Sequence, residues 1–152
     1  MPRWEPIKEK HYVIEDCRNA AAFLKGKTTH KPKLAIVYGH GMDDFEACVE
    51  EPDRITFEEM HAAIPLFPTC SMPPGKNGCF IFGIVDGVTV LVMHGRFHLY
   101  EGHSAQATTF PIRIMNEVSS GGLERQALLA AYGYLISIAY ALLYFQCMSI
   151  CI

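Results

Sequence analysis

The sequence predicts an α/β fold, and three observations point to it. Leu34-Ala35-Ile36-Val37 is a short unbroken apolar run that ends in Tyr38-Gly39-His40-Gly41, as a strand covered on both faces does before a tight turn. Residues 79–85 and 88–93 are two apolar runs around Asp86-Gly87, the dipeptide of a short hairpin. Residues 12–25 and 104–118 place apolar side chains at helical spacing on either side of these strands in the chain.

Taken in order, residues 1–10 are polar and expected to be loose. In residues 12–25, Ile14, Cys17, Ala21 and Leu24 recur at helical spacing, with Glu15, Asp16 and Arg18 between them. Asp16 near the start and Lys25 near the end suit the helix macrodipole, and Gly26 is a natural stop. Residues 28–32 read as a turn. Residues 43–62 carry eight carboxylates, Asp43, Asp44, Glu46, Glu50, Glu51, Asp53, Glu58 and Glu59, and read as a short helix with a solvated loop or edge. Ile64-Pro65-Leu66-Phe67-Pro68 reads as an extended segment held by its prolines, and residues 71–78 as a loop broken by Pro73, Pro74, Gly75 and Gly78. Ser104 is expected to cap the helix over 104–118, with Pro111 kinking it or marking its true start.

A chain of 152 residues fits one domain with a sizeable core. Its formal net charge of -3 argues against a nucleic-acid surface, which is usually basic. Cysteines at 17, 48, 70, 79, 147 and 151 make no CxxC pair and no convincing zinc spacing. The polar start, Met1-Pro2-Arg3-Trp4-Glu5, is no signal peptide, so reduced thiols and a cytoplasmic setting are expected.

Chemistry concentrates in His94-Gly95-Arg96-Phe97-His98-Leu99-Tyr100-Glu101-Gly102-His103, directly after the second strand of the hairpin. Arg96 offers a fixed fork of donors suited to phosphate or carboxylate. His98 can donate or accept a proton near neutral pH. A metal set of His94, His98, His103 and Glu101 is the rival, but Gly95 and Gly102 argue against a helix that would put His94 and His98 on one face. Cys79, inside an apolar strand, reads as inert packing.

The order of motifs carries a resemblance. Ile36-Val37-Tyr38-Gly39-His40-Gly41, Ile64-Pro65-Leu66-Phe67-Pro68, Pro74-Gly75-Lys76-Asn77-Gly78, Gly95-Arg96-Phe97-His98-Leu99-Tyr100-Glu101-Gly102 and Thr109-Phe110-Pro111-Ile112-Arg113 follow one another as in the amino-terminal part of the trimeric, animal-type purine nucleoside phosphorylases. The chain resembles that family over about residues 7–118, most specifically in the Gly95–Gly102 motif. The resemblance implies a phosphorylase/hydrolase-like mixed sheet with flanking helices, incomplete here. It also implies a homotrimeric enzyme that turns a purine nucleoside and phosphate into free base and ribose 1-phosphate. Inorganic phosphate is then a co-substrate, and no cofactor or metal is expected. By the same resemblance His40, Arg96 and His98 match phosphate ligands, Gly39 and Gly41 the phosphate loop, Tyr100 a ribose contact and Glu101 the carboxylate that orients the histidine.

The chain departs from the family pattern at His40, where the family has serine, at Asp43 and Asp44, where it has glycines, and at Lys76, where it has histidine. Each aspartate, if turned inward beside a phosphate, would cost about 1–4 kcal/mol. The resemblance ends at Val118. Residues 1–118 are therefore expected to form the amino-terminal part of a phosphorylase-like domain, with half a phosphate and ribose site and little activity on its own. The family's base-binding residues match nothing in residues 119–152. Residues 119–126 read as a break. Residues 127–152 are 26 uncharged, mostly apolar residues, and as a helix they would reach about 39 Å, enough to cross a bilayer with tilt. One reading of this tail is a membrane anchor on a non-enzymatic protein that uses the remnant domain as a binding module. The other is a non-native terminus, favoured by the abrupt loss of pattern at Val118.

Overall fold

The structure, a computed structural model, describes residues 11–38, 43–69, 78–119 and 128–130. Helix α1 spans Ile14–Gly26, and Asp16 caps its start by accepting the Val13 N–H at 2.9 Å. Strand β1 is Leu34–Tyr38. A 3-10 turn, Asp43–Cys48, leads into β2, Glu50–Thr56, and helix α2, Phe57–Ala63. Strands β3, Cys79–Val85, and β4, Val88–His94, form the expected hairpin. Asp86 and Gly87 both have positive φ, 48° and 75°, as a two-residue hairpin turn with right-handed strand twist requires. Helix α3 is Ala105–Ser119, capped by the Ser104 hydroxyl on the Ala107 N–H at 3.2 Å. Pro111 lies inside α3 rather than at its start.

The sheet is mixed, in the order β2-β3-β4-β1-β5, where β5 is Leu128–Ala130. β2, β3 and β4 pair antiparallel, and β1 runs parallel to β4 and to β5. Strand alternation divides the core in two. Ala35, Val37, Phe80, Phe82, Leu91 and Met93 face the layer built by α1 and α3, while Ile36, Cys79, Ile81, Val90 and Val92 form a smaller cluster with Val49. Both faces are covered, as the continuous apolar runs imply. α3 is also tied to α1 and to the residues just before it by polar contacts: Lys25 donates to the Glu117 carbonyl at 2.9 Å, and Arg113 to the Tyr12 carbonyl at 3.1 Å.

Three expectations are refined or overturned. The acidic stretch holds the expected short helix, and the expected loop or edge includes a regular edge strand, β2. Helix α2 starts at a capping box in which the Thr56 hydroxyl accepts the Glu59 N–H at 3.1 Å and the Glu59 carboxylate accepts the Thr56 N–H at 2.8 Å. Ile64-Pro65-Leu66-Phe67 is a turn rather than an extended segment, closed by the Phe67 N–H on the Ile64 carbonyl at 2.8 Å. The third change is in the tail. An apolar helix was expected from residue 127, but Leu128–Ala130 is a strand on the open parallel edge of β1. Periodicity cannot distinguish helix from strand in a purely apolar run, and an unpaired parallel edge offers backbone partners that only a strand can use. Residues 131–152 lie outside the described residues. Among the described residues, no helix is long and apolar enough to cross a membrane.

Phe67 is buried in the larger cluster, with its ring near those of Phe57, Phe80, Phe97 and Phe110, at centroid distances of 5.4, 6.0, 5.6 and 6.4 Å. Phe67→Ala is expected to destabilise the fold by about 3–5 kcal/mol, read as a lower urea midpoint at unchanged slope.

Candidate functional site

β4 delivers the candidate site. Its last residue, His94, is followed by Gly95 at φ 99°, a left-handed turn that a side-chain-bearing residue would strain to adopt. The backbone at His98 is extended, and burial alternates along the loop: Arg96 and His98 are half-buried and Phe97 is buried. Phe97 stacks on Phe57 at 5.1 Å and meets Phe67 and the His103 ring edge-on at 5.6 and 5.5 Å. Extended backbone sends alternate side chains to opposite sides, so the anchoring of Phe97 in the core turns Arg96 and His98 away from it.

Leu99–Glu101 closes a single 3-10 turn. The Glu101 carboxylate accepts the His98 N–H at 2.8 Å, and Gly102, at φ 86°, donates its N–H to the Leu99 carbonyl at 3.0 Å. The turn places Tyr100 over His98, their rings stacked 4.7 Å apart at 13°. Tyr100 and Leu99 stand 83% and 63% exposed at the tip. Burial, then the neighbouring Arg96 charge, push the His98 imidazole below its usual pKa, and the Glu101 carboxylate opposes them. At neutral pH the ring is therefore uncharged and offers one N–H and one lone pair.

Of the residues singled out from sequence, Arg96, His98, Tyr100 and Glu101 come together on this loop. Gly39, His40, Gly41 and Lys76 lie outside the described residues, as do the side chains of Asp43 and Asp44. The three loop histidines are dispersed. His94 turns to Glu46, with Nδ1 2.5 Å from Oε1, and His103 packs on Phe97. The rival metal set of His94, His98, His103 and Glu101 is not assembled. Sequence reasoning missed a different cluster, Glu46, Arg54, Cys79 and His94, in which Arg54 pairs with Glu46 at 2.6 Å. These residues are far apart in the chain and share no motif spacing, so only the sheet register brings them together.

No protein-family model matches the chain. The chain is similar to the purine nucleoside phosphorylase of Rattus norvegicus, with 33% identity over 108 residues that cover 71% of this chain and 36% of that protein. Purine nucleoside phosphorylase 1 of Bacillus subtilis is 38% identical over 96 residues, covering 63% of this chain and 34% of that protein. Among solved structures, the Schistosoma mansoni purine nucleoside phosphorylase in complex with acetate superposes with a TM-score of 0.62 at 34% identity, covering 70% of this chain and 37% of that one. A purine nucleoside phosphorylase in complex with ribose 1-phosphate gives 0.61 at 33% identity, over 70% of this chain and 37% of that one. The chain spans about a third of the length of the curated relatives it matches.

The charges around His98 make its titration a direct test of the loop geometry. Its NMR midpoint is expected below 6.5, rising toward 6.5 in Arg96→Ala and falling further in Glu101→Gln. Because the folded value is depressed, the unfolded chain binds more protons. The His98 contribution to stability is thus complete above about pH 6.5 and is lost as the pH falls through the folded midpoint.

Proposed function

We propose that this chain, whose amino-terminal part belongs to the purine nucleoside phosphorylase family, supplies the phosphate- and ribose-holding part of a nucleoside phosphorolysis site. The reaction moves a ribosyl group from a purine to phosphate. The bond between the anomeric carbon and the purine nitrogen breaks with its electron pair leaving on the base, and a phosphate oxygen bonds to that carbon. The transition state is cation-like at carbon, so a fixed phosphate dianion both attacks and stabilises it.

Four residues divide this work. Arg96 presents a donor fork matched to phosphate oxygens. His98, uncharged, adds one ring N–H to the same anion. Tyr100, stacked on His98, stands beside whatever His98 holds and can reach a ribose hydroxyl with its phenol. Glu101 fixes the turn through the His98 backbone N–H. The observation that carries the reading is that these four side chains share one loop pinned by Phe97. Phosphate is itself the second substrate, and no cofactor enters the scheme. The homotrimer implied by the resemblance goes with this reading, since exposed Leu99 and Tyr100 give a neighbouring copy apolar surface to cover. A reducing cytoplasmic setting goes with it too, since Cys17 and Cys79 are free thiols.

Calorimetric titration tests it. Saturable binding of phosphate and of ribose 1-phosphate is expected. Arg96→Ala should weaken both about 10- to 150-fold, the equivalent of a lost charge-assisted hydrogen bond of about 1.5–3 kcal/mol. Tyr100→Ala should weaken ribose 1-phosphate while sparing phosphate. A wild-type chain that binds neither ligand would refute the reading.

A further inference from the structure

The cluster behind the loop has its own chemistry. Glu46 comes from the 3-10 turn after β1, Cys79 opens β3 and His94 closes β4. Cys79 and His94 are directly opposed in the antiparallel register, so their side chains share one face of the sheet. Phe45 packs on the apolar cluster of that face, which brings Glu46 over the same pair. A thiol sulfur, an imidazole nitrogen and a carboxylate oxygen result, all within 4.8 Å of one another.

We propose that Glu46, Cys79 and His94 form a zinc-binding site. Thiolate, imidazole and carboxylate together select a borderline ion such as zinc over magnesium or calcium, which take oxygen ligands. Ligands around a tetrahedral zinc lie about 3.3–3.7 Å apart, given bond lengths of about 2.0–2.3 Å. Rotamer adjustments of about 1 Å bring the three atoms to that spacing: the sulfur closes in, and the 2.5 Å contact between His94 Nδ1 and Glu46 Oε1 opens. Binding releases the Cys79 thiol proton. His94 must present a bare Nδ1, so its ring proton moves to Nε2 or leaves. The second Glu46 oxygen stays on Arg54, at 2.6 Å, which holds the carboxylate in place from outside the metal shell. Three protein ligands leave the fourth position to water. The whole site lies on the sheet face opposite Phe97, and its ligands differ from those assigned to phosphate and ribose.

Cobalt(II) reports on the site in the full, reduced chain. About one equivalent is expected to give a thiolate-to-cobalt charge-transfer band with visible tetrahedral bands, displaced by zinc. Cys79→Ser should abolish the charge-transfer band. His94→Ala and Glu46→Gln should each weaken binding at least about tenfold, since even outer-shell partners are worth about 10–100-fold. Cys17→Ser and Cys48→Ser should change nothing. Absence of a band at millimolar cobalt, or a band that survives Cys79→Ser, would overturn the assignment. Should Cys79→Ser fail to fold, alkylation of the unmutated chain decides: zinc must protect Cys79, mapped by mass spectrometry. Equal reactivity of Cys79 with and without zinc would overturn it as well.

Discussion

The burial of Phe97 is the contact on which the rest of this molecule depends. One ring from the loop after β4 sits against Phe57 at the start of α2 and Phe67 in the turn that follows it. Phe67 in turn reaches Phe80 on β3 and Phe110 on α3. Aromatic pairs of this kind add about 0.5–1.5 kcal/mol each beyond their area burial. More important is where they are. Arg96 and His98 flank the anchored ring, so neither can shift along the chain without extracting Phe97 from the core. A loop that must hold an anion gains most from donors fixed before the anion arrives, because ordering them afterwards would cost binding energy.

The sheet supplies the second half of that preorganisation. β1 and β4 are parallel neighbours, with Tyr38 beside His94 at their carboxyl ends. The chain therefore leaves both strands at the same edge, the place where open α/β sheets gather ligands. The antiparallel pair β3 and β4 does a different job. It puts Cys79 across from His94 and ties the start of one strand to the end of the other. At Gly78, next to Cys79, a side chain would strike the Phe57 ring and come within 3.1 Å of the His94 carbonyl oxygen. The aromatic anchor and the strand end that launches the loop are thus packed directly against each other.

Features written in local chemistry were legible in the sequence. Asp86-Gly87 marked its hairpin because both residues tolerate positive φ. Ser104 marked a helix start because its hydroxyl satisfies a free N–H. Thr56 and Glu59 carried an equally local capping signal, hidden among carboxylates that read as a solvated face. The grouping of Arg96, His98, Tyr100 and Glu101 was legible because all four lie within a few residues of one turn of chain. What could not be read was set by pairing over distance. Nothing near Leu128 says that β1 has an open edge, and nothing near Glu46 says that β3 and β4 align Cys79 with His94. Cys79 reads as packing from its apolar neighbours, and on one side it is packing; its polar surroundings come from other elements.

Those surroundings also stabilise the Glu46 cluster itself. A half-buried carboxylate needs partners, and Glu46 has a guanidinium on one oxygen and an imidazole on the other. The pairing holds the Arg54 guanidinium more firmly protonated. Burial, and then the Glu46 charge, keep the Cys79 thiol protonated, with Arg54 opposing them. In the cluster the Arg54 guanidinium balances the Glu46 carboxylate. A divalent ion would enter by exchanging protons from the thiol and the imidazole for its own charge, leaving Arg54 in place. Gly95 separates this cluster from the loop that carries Arg96 and His98. On one side of its left-handed turn His94 belongs to the sheet and pairs with Glu46; on the other, Arg96 and His98 belong to the loop. One glycine lets the chain turn between two different sets of partners at one strand end.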